Sequence, residues 1–132
     1  MPAVKIMVGI PTYARTYKLG NQNNHSFYAN ATDVGPGKDG KVPFKWTCKF
    51  IKNETAKEVF TKQIGEPYAY RKFTWVSYDD MESVCEKVRW IKHNHFGGVM
   101  TYTLTDDDSE ELVGLEKYPL HSLINKIATS RE

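Results

Sequence analysis

"HFGGVMTYTLTDDDSEE", residues 95–111, sets an apolar run directly against five acids in six positions. Gly97 and Gly98 break the chain before it, Val99–Leu104 read as a short buried strand, and the carboxylates 106–111 follow. Acids at the C-terminal end of a buried strand admit three readings: a catalytic cluster, a metal site, or a solvated charged loop. No EF-hand spacing with its glycine accompanies the three consecutive Asp, so a calcium site gets no support. The solvated loop is the plain reading.

Val4–Ile10 (VKIMVGI) is a second near-continuous apolar run, ended by Pro11, as expected of a strand buried on both faces. Residues 20–43 are rich in Gly, Asn and Pro and read as loop, with one short strand around 26–29. Residues 44–52 suit a short helix, and 57–63, 67–71 and 73–78 alternate as a small antiparallel set. Asp79, three residues before Glu82, predicts a capping box opening a helix whose Val84, Val88 and Ile91 share one face through to Asn94. Pro119 opens a last helix through Ala128. The fold class is therefore α+β: two buried strands, each eventually followed by a helix, flank a small insert. Two parallel strands cannot cover themselves, so the pattern reads as the last quarter of a (β/α)8 TIM barrel.

Composition narrows the function classes. The chain has 132 residues and a formal net charge of +2, with its basic residues scattered, so nucleic-acid binding gets no support. No apolar run reaches membrane-spanning length. Aromatics make up 13% of the chain, which suits either a sugar-stacking surface or a β-rich core. Cys48 and Cys85 have no CxxC spacing, and no cofactor motif is present. Sequons at Asn24, Asn30 and Asn53 point to a secreted glycoprotein, its signal peptide lying outside this chain.

GIPTYARTYKL (9–19), PYAY (67–70), WVSYDDMES (75–83), KVRWIKHNHFGGVMTYTLTDDD (87–108) and YPLHSLINKI (118–127), in that order, closely resemble the C-terminal part of glycoside hydrolase family 18 chitinases. The resemblance implies three segments: barrel strand seven over 1–16, the chitinase insertion domain over 17–75, and helix seven, strand eight and helix eight over 76–132. It implies a chitin or chitooligosaccharide partner, no cofactor, and a parent barrel that supplies the missing strands.

The family's strand-seven pattern, roughly G-[IL]-P-x-Y-G-R, maps its cleft-facing Tyr and Arg onto Tyr13 and Arg15, with Ala14 in place of Gly. Its strand-eight pattern, G-G-x-M-x-W, maps onto Met100 and, with Tyr replacing Trp, onto Tyr102. Tyr13, Arg15, Met100 and Tyr102 are thus the candidate substrate-binding residues; the aromatics are equally candidates for core packing and Arg15 for a surface ion pair. Lys38 and Lys41 stand where the family places an acid and an apolar residue. The family's catalytic acid ends a D-x-x-D-x-D-x-E motif on strand four. Asp106, Asp108 and Glu110 fit only its second half, with Thr103 at the leading position, so no catalytic residue is assigned. The resemblance also suggests a Cys48–Cys85 disulfide, Cys85 standing in for a family partner absent here. Trp75 reads as packing between insert and barrel and Trp90 as core. His25, His93, His95 and His121 are scattered and are assigned no chemistry.

Three functions remain open. The parent is a chitinase to which this segment contributes a cleft wall, or a non-catalytic chitin-binding protein, or the segment is a structural insert with no ligand of its own.

Overall fold

A computed structural model describes residues 1–130; positions 131 and 132 of the expected last segment lie outside the described residues. Two units are present. In the first, β1 (Met7–Pro11) and β8 (Gly98–Tyr102) form a two-stranded parallel sheet in which Gly9 stands opposite Met100. This is the parallel pairing anticipated for the two apolar runs. Helices α2 (Met81–His93) and α3 (Pro119–Thr129) cover one face of the sheet. Strand alternation sends Val8, Ile10 and Val99 into that layer. There they meet Val84, Val88, Ile91, Leu120 and Ile124.

The first strand starts later than its apolar run. Ala3–Lys5 form a single 3-10 turn, whose carbonyls at Ala3 and Ile6 both accept the Gly97 amide. A side chain at position 97 would stand 2.3 Å from the Val4 carbonyl oxygen, so the turn can close only against glycine.

The second unit is a six-stranded antiparallel sheet: β2 (Tyr13–Leu19), β3 (Ala31–Val34), β4 (Lys41–Pro43), β5 (Lys57–Thr61), β6 (Glu66–Arg71) and β7 (Thr74–Ser77). The β5–β6–β7 set runs antiparallel as the alternation indicated. Helix α1 (Phe44–Asn53) packs on one face, where Phe50 meets Ala14, Val42, Ala69, Val76 and Tyr78. The opposite face carries Leu19, Tyr68 and Trp75 under Phe27.

Several expectations are corrected. Tyr13–Leu19 is one strand of the insert sheet, paired with β3, β4 and β7, so the expected boundary between 16 and 17 falls inside β2. The chain leaves β1 at Thr12, whose amide donates to the Tyr102 carbonyl oxygen (3.0 Å) before β2 begins. No strand forms at 26–29, which is a turn; the strand lies at Ala31–Val34, where β2 offers an edge. The box that caps α2 is Asp80 with Ser83, not Asp79 with Glu82. Asp79 is instead buried and accepts from Lys87 Nζ at 2.7 Å. Trp75 packs within the insert, and Trp90 is 55% exposed against Phe96. No described helix is long and apolar enough to cross a membrane.

Candidate functional site

The face of the parallel sheet opposite the helices is bare. Met7, Met100 and Tyr102 project from it, with Met100 at 48% and Tyr102 at 59% exposure, and the Met100 methyl lies over Gly9. The Tyr102–Thr103 peptide bond is cis. Beside this face stands the start of β2, whose alternation buries Ala14 and Thr16 and turns Tyr13 and Arg15 the other way.

Tyr13 and Tyr102 meet edge to face, ring centroids 6.4 Å apart and planes at 88°. All four sequence-derived candidates thus flank one corner. A fifth residue completes it. Lys41, on β4 and paired with Arg15 across the ladder, holds its ammonium 4.7 Å from the Tyr13 ring centroid and 5.3 Å from that of Tyr102. Both distances are within cation–π range. The same ammonium is 2.8 Å from Asp106 Oδ2, and Asp106 also accepts from Thr103 Oγ1 at 2.8 Å. Arg15 lies 5.3 Å from the Tyr13 centroid and donates to the Asp39 carbonyl oxygen at 3.3 Å. Arg15, Lys38, Asp39, Lys41 and Asp106 line an open depression of about 310 Å³.

The loop that presents Asp39 and Lys41 is held by glycine. At Gly37, with φ +92°, a side chain would stand 2.1 Å from the Lys41 carbonyl oxygen, so no larger residue fits the turn that feeds β4. The sequence marked Lys41 only as a departure from a pattern. Its central position follows from β4 pairing with β2, which no local signal announces.

The acidic run is not a solvated loop. Asp107 and Asp108 are fully buried. Asp107 Oδ2 accepts from the His121 amide (3.0 Å) and faces His121 Nδ1 (2.8 Å), while Nε2 of the same ring meets Thr101 Oγ1 at 2.9 Å. Asp108 accepts from the amides of Glu110 (3.1 Å) and Val113 (2.9 Å). Buried carboxylates require such donors, and here they tie the loop after β8 to the first turn of α3. Every oxygen they present is engaged structurally, and Glu110 is exposed, facing Lys45 at 3.9 Å. Among the described residues no three His, Cys, Asp or Glu side chains gather as a metal site.

The expected Cys48–Cys85 disulfide is not formed; both are free thiols. Cys48 packs against the core between sheet and helices, and burial, with smaller help from Asp108, pushes its pKa up to about 12. Burial and a hydrogen bond to Glu58 raise the Tyr78 hydroxyl likewise. Asn24, Asn30 and Asn53 are all exposed.

Comparison with known proteins finds that residues 1–107 match the family model described as glycosyl hydrolases family 18. A "Class V chitinase" of Arabidopsis thaliana is 32% identical over 85% of this chain, and an "Oviduct-specific glycoprotein" of Sus scrofa is 34% identical over 99%. Among solved structures, human YKL-39, described as a pseudo-chitinase with retained chitooligosaccharide-binding properties, superposes on 98% of the chain with a TM-score of 0.90 at 29% identity. The chain spans 30% and 26% of the two curated relatives and 36% of the solved chain.

Proposed function

Because this chain belongs to glycosyl hydrolase family 18, we propose that it forms one wall of a chitooligosaccharide-binding cleft whose remainder is a (β/α)8 barrel. In this reading β1 is strand seven, the six-stranded sheet with α1 is the chitinase insertion domain, and α2, β8 and α3 are helix seven, strand eight and helix eight. The observation that carries it is the bare face of the β1–β8 pair. Parallel strands are stable when both faces are covered, and only the helix side is covered here. The exposed side holds Met100 and Tyr102 and runs into Tyr13 and Arg15, a mixture of apolar surface and fixed polar groups that suits a sugar ring.

Tyr102 offers the stacking face, Met100 the floor, Tyr13 the side wall, and Arg15 a donor for sugar hydroxyls or an acetamide oxygen. Where the whole protein hydrolyses chitin, the acid that protonates the leaving oxygen belongs to a part of the barrel outside this chain, and the segment orients the sugar. The second reading is binding without cleavage. It is favoured by Lys41, which lies across the aromatic corner and is held there by Asp106. The three exposed sequons support a secreted, glycosylated protein.

The test is titration of the protein in its full natural length with N-acetylglucosamine tetramer, by calorimetry, alongside Tyr102→Ala and Arg15→Ala. Each variant is expected to weaken binding at least about tenfold, or roughly 1.4 kcal/mol. Unchanged affinity in both would sink the cleft-wall reading. A fluorogenic chitobioside assay on the same protein separates hydrolysis from binding alone.

A further inference from the structure

We propose that Lys41 is a specificity-determining residue that competes with neutral sugars for the aromatic corner, an inference that rests on the cleft-wall reading above. A pyranose stacks by laying its apolar C–H face on an aromatic ring, and the two rings available at this corner are those of Tyr13 and Tyr102. Both already face one ammonium, at 4.7 and 5.3 Å. That ammonium is not a passing surface charge. Lys41 is only half-exposed, its backbone is fixed by the β2–β4 ladder on one side and by the tight Gly37 turn on the other, and its Nζ is anchored at 2.8 Å by Asp106.

Asp106 is in turn oriented by the Thr103 hydroxyl, so the anchor belongs to the framework of the loop rather than to a free side chain. A sugar laid on the ring faces that the ammonium covers must lift it off both and rotate it into water or onto its own oxygens. Binding of an uncharged oligosaccharide is therefore set against two interactions made by the empty site, a cation–π contact and an ion pair. Nothing comparable opposes the sugar at Met100, which faces the open side of the sheet.

Lys41→Met keeps most of the side chain's length and removes the charge. In calorimetric titration with N-acetylglucosamine tetramer, the variant is expected to bind about five- to tenfold more tightly than the unaltered protein. A second measurement varies the salt concentration. Salt weakens a partly exposed ion pair, so the unaltered protein should gain affinity for the neutral tetramer between about 0.05 M and about 1 M salt, while Lys41→Met should not. A purely structural lysine would leave that salt dependence flat. Equal or weaker binding by Lys41→Met, in a protein whose unaltered form binds, overturns this inference alone; weaker binding would make Lys41 a sugar contact. Absence of binding by both proteins sinks the cleft-wall reading and this inference with it.

Discussion

At the scale of single residues, burial decides what each polar side chain does. His121 stands alone in the sequence, yet its ring joins Thr101 on β8 to the fully buried Asp107. With Nδ1–H donated to the carboxylate, Nε2 is left to accept the threonine hydroxyl, and all three groups are satisfied. His121→Leu leaves a buried carboxylate with amide partners only, and should lower the unfolding free energy by about 2–3 kcal/mol in urea titration. A loss below about 0.5 kcal/mol would mean the loop holds Asp107 without the ring. The thiols give a second residue-scale test. The pKa of Cys48, near 12 by burial, leaves almost no thiolate at pH 8, so a disulfide-exchange reagent should modify Cys85 and spare Cys48 in the folded protein. Unfolding without reductant should then expose both thiols; finding neither would restore the disulfide.

At the scale of elements, the join between the insert sheet and α2 rests on one cation. Lys87, on the second turn of α2, reaches back to Asp79 at 2.7 Å and to Glu66 at the start of β6 at 2.5 Å, while Ser83 Oγ donates to Asp79 at 2.7 Å. Burial raises the pKa of Asp79 against the lowering effect of its Lys87 and Ser83 bonds. Burial alone would lower that of Lys87, but its bonds to Asp79 and Glu66 together raise it. A lysine whose folded pKa lies above its unfolded value of about 10.4 contributes stability that is complete below that value and is lost as the pH climbs through the folded one. Lys87→Met should therefore reduce the alkaline loss of stability, leaving the part owed to the buried Cys48 thiol and Tyr78 hydroxyl. At neutral pH it should cost about 3–5 kcal/mol, since it strands the buried Asp79 charge. Acidification should recover part of that cost, because an acid with a raised folded pKa gains stability as it takes up its proton. A deficit equal at pH 4 and pH 7 would show that Asp79 is not the stranded charge.

At the scale of the whole molecule, the parallel pair determines what the chain does alone. The outer edges of β1 and β8 are unpaired, and Met7, Met100, Tyr102 and Leu104 stand exposed beside them. On the proposed cleft-wall reading, one wall cannot fix a sugar against an acid, so the 132-residue chain by itself should give no turnover of a fluorogenic chitobioside. Its affinity for chitooligosaccharide should be millimolar, roughly 4 kcal/mol. Turnover that survives purification and disappears in Glu110→Gln would assign the exposed end of the acidic run a catalytic role.

The sequence by itself determined the elements whose signals are local. Apolar runs fixed β1 and β8 to within a few residues, the Val84, Val88, Ile91 spacing fixed the buried stripe of α2, and Pro119 fixed the start of α3. Tyr13, Arg15, Met100 and Tyr102 are proposed as sugar contacts because they sit in motifs that can be read position by position. What the tertiary structure alone decided depends on contacts distant in the chain. Tyr13–Leu19 becomes an insert strand because β4 and β7, more than twenty and more than fifty residues away, provide its edges. Asp107 and Asp108 look like a solvated run, since hydropathy assigns charged residues to water; His121 and the amides of the loop make burial tolerable. Lys41 enters the aromatic corner only when β4 lies against β2 while the loop after β8 brings up Asp106. Spacing along a chain reports which face a residue takes, but the partner it meets there is fixed only when separate elements pack.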